Sequence, residues 1–403
     1  MKPGVLLTDA HARSTVGTCE CLARHGFRVG AATSDPPAPG QWSRRVSSRL
    51  RVCDPRQDPR RFATEVAEHA SAGDFAVVLP GSDASVLAIS DHRDVFDDRV
   101  RHGLPDRDAV NRAVNKLTML DDASAAGLAP PPSIACADPG EASAIAEELG
   151  YPVLLKPRQT AFEHEGTVRQ RQTFVAADEQ SLLEKLPEFG LPCLLQRFDR
   201  GSLCSFAGVA VEGRLLAVTF SRDLRTWPAD AGSLSFARTE EAPPDLVARV
   251  GTLIDSLGWQ GIFHLEMIEG DNGRFAAIDF NPRLYGCIAL ATGAGAAIPA
   301  VWCRWMLDGG SDAAPARPGV YYRWEEAEVR NLLLRLRSGR LRDALAVIRP
   351  RYPLTRAYLR WSDPLPALVM LARMVRSRRE DRRSARAARQ AAISASGRGG
   401  AAS

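Results

Sequence analysis

Lysine is almost missing from this chain. Of 52 basic residues only Lys2, Lys116, Lys156 and Lys185 are lysines, and every other one is arginine. Against that background a lysine inside an ordered segment marks a place for a compact, flexible ammonium. Histidine is scarce as well, at seven, and no HExxH pair occurs, so the helix-borne zinc site of that motif is excluded. His264-Leu265-Glu266 looks like the first half of a deaminase motif, but no PCxxC follows. Of the eight cysteines only Cys19 and Cys21 are close, and there is no CxxC or zinc-finger spacing. That scatter fits reduced, mostly buried thiols in a cytoplasmic protein.

Glycine signatures are missing too. Without GxxxxGK[ST] this is not a P-loop protein, and without GxGxxG after the first strand a dinucleotide-binding reading is weak. The N-terminus MKPGVLLTDA has only a short apolar run before Asp9, so no signal peptide is expected. The longest uncharged stretch, residues 286–303, has about the length of a membrane span. It is rich in Ala and Gly and carries a proline, so a buried helix is expected there and no integral membrane span. No repeat of fixed period is visible. What remains is ordinary: 403 residues, 45% apolar, 25% charged, net charge +4. These values suit a soluble globular protein of two to four domains with a substantial core, and no nucleic-acid partner is expected.

Residues 1–110 read as a small parallel α/β domain. VLLTD is a strand, a helix over about 14–25 ends at Gly26, FRVGAA is the next strand, and FAVVLPGSD runs into a helix starting DASVLAIS. Residues 111–195 hold a helix over 111–126 with Lys116, the linker PPPSIACAD and a helix over 139–149. The strand YPVLLKP ending in Lys156, the polar segment RQTAFEHEGTVRQRQ, a helix over about 178–188 and the strand PCLLQRF follow. Residues 196–310 turn antiparallel, with a hairpin around Glu212-Gly213, a helix over 244–257 and a second hairpin, HLEMIEGDNGRFAAIDFNP. Residues 311–380 read as a helical extension, with Val329, Leu332, Leu333 and Leu336 at helical spacing before Gly339. Residues 381–403 read as a disordered basic and polar tail. Its arginines beside PALVMLARMV could touch an anionic membrane surface or simply end a solvated helix.

The second hairpin carries the chemistry. Asn272-Gly273 is a two-residue turn signal, and with that turn Glu266 lies directly opposite Asp279. Facing Cβ atoms are then about 5 Å apart, where like charges destabilise. Asn281 shares the face of Asp279, two residues on. Either the register differs, or Arg283 neutralises the acids, or the three oxygens hold a divalent cation such as Mg²⁺ together with a nucleotide's phosphates. Lys116 and Lys156, two of only four lysines, lie upstream and look like phosphate ligands.

Lys116, YPVLLKP with Lys156, the strand LLQRF and HLEMIEGDNGRFAAIDFNPR together resemble the ATP-grasp superfamily, and most nearly its predicted carboxylate–amine ligases. The resemblance covers about residues 1–310. It implies an α/β N-terminal domain followed by an α+β ATP-grasp fold, here with the helical C-terminal extension. It implies an ATP-dependent ligase in which a small-molecule carboxylate becomes an acyl phosphate and an amine attacks it, giving ADP and phosphate. Lys116 and Lys156 match the lysines on the ATP phosphates. Leu195, Gln196, Arg197 and Phe198 match the hinge that clasps adenine. Glu266, Asp279 and Asn281 match the ligands of one or two Mg²⁺ ions, for which Mn²⁺ could substitute. Arg283 matches the arginine that steadies the acyl phosphate, with Lys156 beside it in catalysis.

Family lids are usually Gly-rich, whereas RQTAFEHEGTVRQRQ has only Gly166. That departure keeps open a slow nucleotide-binding regulatory protein, as well as a thiol, water or phosphoryl acceptor. Substrate candidates are Arg222 and Arg225 as forked donors, Gly232 and Ser233 as a close backbone, and His11 and Arg13 after the first strand. Homodimers are common among such enzymes and are an expectation here.

Overall fold

The computed structural model describes residues 2–158, 161–164, 167–170, 173–189, 191–228, 232–310 and 312–377. The tail expected over 381–403 and the side chains of the polar segment 159–172 lie outside the described residues.

The N-terminal part is β1 (Gly4–Leu7), α1 (Arg13–Arg24), β2 (Arg28–Thr33), β3 (Val46–Arg51), α2 (Pro59–Ala72), β4 (Val77–Leu79) and α3 (Asp83–Asp91). Its four strands are parallel in the order β3-β2-β1-β4. Every residue of β1 and β4 is buried, as expected where helices cover both faces of a parallel sheet. The strand β3 and helix α2 went unread in the sequence, because VSSRLR alternates between half-buried and exposed and carries no apolar run.

Next come α4 (Arg107–Val114), α5 (Lys116–Ala125), β5 (Ser133–Cys136), α6 (Ala142–Leu149), β6 (Val153–Pro157), β7 (Ala161–His164), β8 (Thr167–Gln170), β9 (Phe174–Ala176), α7 (Glu179–Lys185) and β10 (Cys193–Arg197). The single helix expected over 111–126 is instead two. Asn115 breaks it with an extended backbone, and its side chain accepts from Leu117 N to cap α5. Strands β5-β10-β6-β9 form an antiparallel sheet with its own core.

The remainder is β11 (Ser202–Val211), β12 (Arg214–Trp227), β13 (Ser233–Glu240), α8 (Pro244–Leu257), β14 (Gly261–Glu269), β15 (Phe275–Asn281), α9 (Ile288–Ala294), α10 (Ile298–Asp308), β16 (Tyr321–Arg323), α11 (Glu325–Arg337), α12 (Leu341–Ile348) and β17 (Leu354–Arg356). A seven-stranded sheet runs β15-β14-β11-β12-β13-β16-β17. The C-terminal extension is helical as expected, but it also adds two strands to this sheet. Glu212 and Gly213 both take positive φ, 46° and 72°, the two-residue hairpin turn that matches strand twist.

One core joins the N-terminal sheet, α1, α9, α10 and the large sheet; another joins α4, α5 and α8 to that sheet. The uncharged stretch 286–303 is buried as expected. It forms two helices rather than one, because Gly295 adopts φ +98° between them. Among the described residues no helix is long and apolar enough to cross a membrane.

Candidate functional site

The second hairpin reaches the expected pairing by a different route. Its turn is not a two-residue Asn272-Gly273 turn. Gly270 pairs with Arg274, Gly273 N donates to Gly270 O at 2.9 Å, and Gly273 takes φ +71°, which is a three-residue loop with glycine at the left-handed position. That shifts the register by one near the turn, so Glu269 faces Phe275 and Met267 faces Ala277. A β-bulge then inserts Ile278 opposite nothing and restores the offset, so Glu266 faces Asp279 and His264 faces Asn281. Without the bulge, Asp279 would point to the other face of the sheet.

Two buried lysines reach this pair from other elements. Lys116, at the start of α5, pairs with Asp279 Oδ1. Lys156, near the end of β6 and 5% exposed, donates to Ile278 O at 3.2 Å. Burial and the neighbouring Lys116 push the Lys156 ammonium down to about 8, although Asp279 and Glu266 pull it up. Burial raises the Asp279 carboxyl, but the ammonium groups of Lys116 and Lys156 outweigh it and hold Asp279 below the usual carboxylate range. Partial burial and the facing Asp279 raise Glu266, and because its side chain is 46% exposed water screens both effects.

Arg283 forms no direct ion pair with the hairpin acids among the described residues, although its charge favours the ionised form of both. It is held by Asp83, the first residue of α3, with Nε at 2.6 Å from Oδ1, so the N-terminal domain orients it. Its Nη2 also donates to Asn281 Oδ1 at 2.8 Å. The Asn281 amide nitrogen in turn lies 3.2 Å from Glu266 Oε1. As a cation ligand Asn281 would have to present its oxygen instead.

The donor set fits a hard divalent cation. Two facing carboxylates, one with a raised pKa, are what a cation relieves, and Asn281 would add a third oxygen once its amide turned away from Arg283. Among the described residues no cluster of three His, Cys, Asp or Glu could form an all-protein metal cage. Glu266, Asp279 and Asn281 could hold Mg²⁺, which keeps waters and shares phosphate oxygens.

Most of the other expected residues are already engaged by neighbours of their own. Gln196 is fully buried, and its Nε2 donates to Ser133 Oγ at 2.8 Å while its Oε1 has no partner. Arg197 pairs with Asp199, and Phe198 is half-buried. Arg222 bridges Glu240 at 3.0 Å and Glu269 at 2.6 Å. Arg225 forks onto the buried Glu328 of α11, a link between β12 and the C-terminal helices. Gly232 lies against the Trp227–Pro228 backbone, where a Cβ would come within 2.0 Å of Trp227 C. Ser233 is exposed at the start of β13. His11 Nδ1 is 3.3 Å from Thr33 Oγ1. Arg13 lies over the Trp324 ring at 3.9 Å, with Nε buried and unpaired.

No family model and no curated protein matches this chain. Solved structures do. An L-amino acid ligase from Bacillus licheniformis aligns over 79% of this chain and 78% of its own, at 14% identity and a TM-score of 0.58. The N5-carboxyaminoimidazole synthetase of Staphylococcus aureus, solved with ADP, aligns over 79% and 81%, at 12% identity and TM-score 0.59. The biotin carboxylase domain of the Hydrogenobacter thermophilus 2-oxoglutarate carboxylase, solved as a dimer with MgADP and bicarbonate, aligns over 80% and 73%, at 16% identity and TM-score 0.59. The chain has the ATP-grasp fold.

Within this ATP-grasp fold, sequence reading missed two neighbours of the site. One is Asp83, whose signal was only its place as the first helical residue after the Ser82 cap. The other is Asp223. From Glu266, Ser205 and Ser221 continue one row across β11 and β12, their hydroxyls 3.0 Å apart. Asp223, two residues along β12, shares that face. Its Oδ1 is buried without a partner, and burial, then the charge of Glu266, raises its carboxyl well above the usual range. His264, stacked on Tyr285 at 4.4 Å, is pushed down to about 3 by burial and by Arg283, so it stays neutral.

Proposed function

We propose that this chain is an ATP-dependent carboxylate–amine ligase. The observation that carries the reading is the Glu266–Asp279 pair facing across a bulged hairpin with two buried lysines beside it. Neighbours of the same fold include an L-amino acid ligase and ADP-bound synthetases, which supports the reading at the level of the reaction class.

In this reading Lys116 and Lys156 meet the ATP phosphates, Gln196, Arg197 and Phe198 border the adenine, and Glu266, Asp279 and Asn281 hold one or two Mg²⁺ ions, or Mn²⁺. Bound there, the metal would neutralise charge on the phosphates. The substrate carboxylate oxygen attacks the γ-phosphorus, the bond to ADP breaks, and an acyl phosphate forms. The amine nitrogen then attacks the acyl carbon, loses a proton, and phosphate leaves. Buried ammonium groups aimed at the transferring phosphoryl group stabilise its spreading charge, the largest part of such catalysis. Arg283, held by Asp83, orients the acyl phosphate. Asp223, whose Oδ1 has no partner among the described residues, is suited to a cationic group on one of the substrates, such as an ammonium that does not react. Arg222 and Arg225 remain weaker substrate candidates than this acid, because each already has carboxylate partners.

Eight free cysteines, seven of them buried, suit a cytoplasmic setting. A homodimer is proposed from the dimeric carboxylase neighbour. The test is ADP release over a panel of acids and amines. Asp279→Ala and Asn281→Ala should each abolish most Mg²⁺-dependent turnover while the melting curve stays cooperative. Full turnover in both variants refutes the site. Nucleotide binding with no turnover on any panel member favours the regulatory alternative.

A further inference from the structure

The C-terminal helices present the wrong face to water. The inward side of α11 is Ala327, Glu328 and Asn331, all buried; Glu328 receives Arg225 and Ser235 Oγ, and Asn331 donates to Thr226 O and Ser235 Oγ. Its outward side is Val329, Leu333 and Leu336, spaced i, i+4, i+7 and exposed. A soluble surface helix does the reverse. Helix α12 buries only Ala344 and Val347 and exposes Leu341, Leu345 and Ile348 at the same spacing, the first two at 64% and 63%. The helix over 365–377 exposes Leu368, Leu371 and Val375. Tyr352 and Trp361, in the connections, are 81% and 95% exposed.

The charge along this end of the sequence is one-sided. Residues 325–403 hold 18 arginines, no lysine and seven acids, a net +11, whereas residues 1–324 hold 34 basic and 41 acidic residues, a net −7. Arg337, Arg340, Arg342 and Arg349 are exposed, and no carboxylate pairs with any of them among the described residues. Arginine alternating with exposed Leu and Ile on short helices, with Tyr and Trp in the connections, is the composition of an interfacial segment, with apolar side chains in the acyl boundary and guanidinium groups among anionic headgroups.

We propose that α11, α12 and the helix over 365–377 dock this chain peripherally onto an anionic lipid surface. A second copy is the less suitable occupant, because pairing these faces would bring the exposed Arg337, Arg340, Arg342 and Arg349 of two copies together. Nucleic acid would use the arginines but leave the leucine stripes wet.

The test uses the full chain in co-sedimentation with phosphatidylserine/phosphatidylcholine vesicles against phosphatidylcholine alone, together with light scattering after gel filtration. The chain should bind only the anionic vesicles, and added salt should release it. Leu341→Glu with Leu345→Glu should lower partitioning at least about tenfold, and Arg340→Glu with Arg342→Glu by a similar factor. These side chains are exposed, so both variants should keep the wild-type melting temperature. Three results would overturn the proposal: no binding to anionic vesicles at low salt, binding unchanged in both variants, or a dimer that ignores vesicles and dissociates in the leucine variant.

Discussion

Glu266→Gln separates a metal site from an ordinary ion-pair cluster. Glu266 faces Asp279 across β14 and β15. At about 5 Å and an effective dielectric of ~20, two carboxylates repel by ~3 kcal/mol. The Glu266 side chain is 46% exposed, so water screens much of this, and Lys116 and Lys156 offset more. About 0.5–1 kcal/mol should remain, within the range for cross-strand pairs. Glutamine keeps an oxygen for Asn281 Nδ2, and His264, being neutral, loses no ion pair. The ligand-free variant should therefore melt about 1–2 °C above wild type.

The sign follows from the raised Glu266 pKa. The folded protein favours the neutral acid, so the cost exists above that pKa and disappears as pH falls through it. The advantage of glutamine should vanish with it. Scanning calorimetry with and without Mg²⁺ and ATP is the assay. Wild type should gain stability from the pair of ligands, and the variant should lose most of that gain. A ligand-free variant less stable than wild type, or one that retains the full Mg²⁺-dependent gain, would refute the reasoning.

If Lys156 meets the phosphates as proposed, nucleotide affinity should fall as pH rises above about 8, where that ammonium loses its proton; titration calorimetry should show the fall vanish in Lys156→Arg. Glu328→Gln should destabilise the C-terminal helices by ~3 kcal/mol, since Arg225 is left largely buried without its counter-charge, and chemical denaturation would measure it. Asp223→Asn should raise KM for one substrate at least tenfold with the ATP KM unchanged; equal effects on both would argue for a structural role.

Much of this was legible in one dimension because it depends on short-range chemistry. Apolar runs and helix stops marked β1, α1, β2, β4 and α3 but not β3 or α2, and Pro244 at the start and Gly258 past the end bracket α8 where it was expected over 244–257. The Glu266–Asp279 pairing was inferred from a turn that is not the one formed. The loop adds a residue and the Ile278 bulge compensates, and neither event has a strong local signal. The break at Asn115 was hidden because its flanks, NRAV and KLTML, are both good helix.

The sequence by itself determined which groups are available: an acid on each arm of a hairpin, an asparagine two residues on, and two rare lysines, one on a helix and one ending an apolar strand. Those depend on residue identity and on turn chemistry acting over a few positions. Tertiary structure alone decided that Lys116, 163 positions away in the chain, rests on Asp279 and that Asp83, 200 positions away, holds Arg283. It also decided that Val329, Leu333 and Leu336 face water. Helical spacing shows that a stripe exists, but which side of α11 is buried depends on Arg225, Ser235 and Thr226, which strands β12 and β13 bring to Glu328 and Asn331.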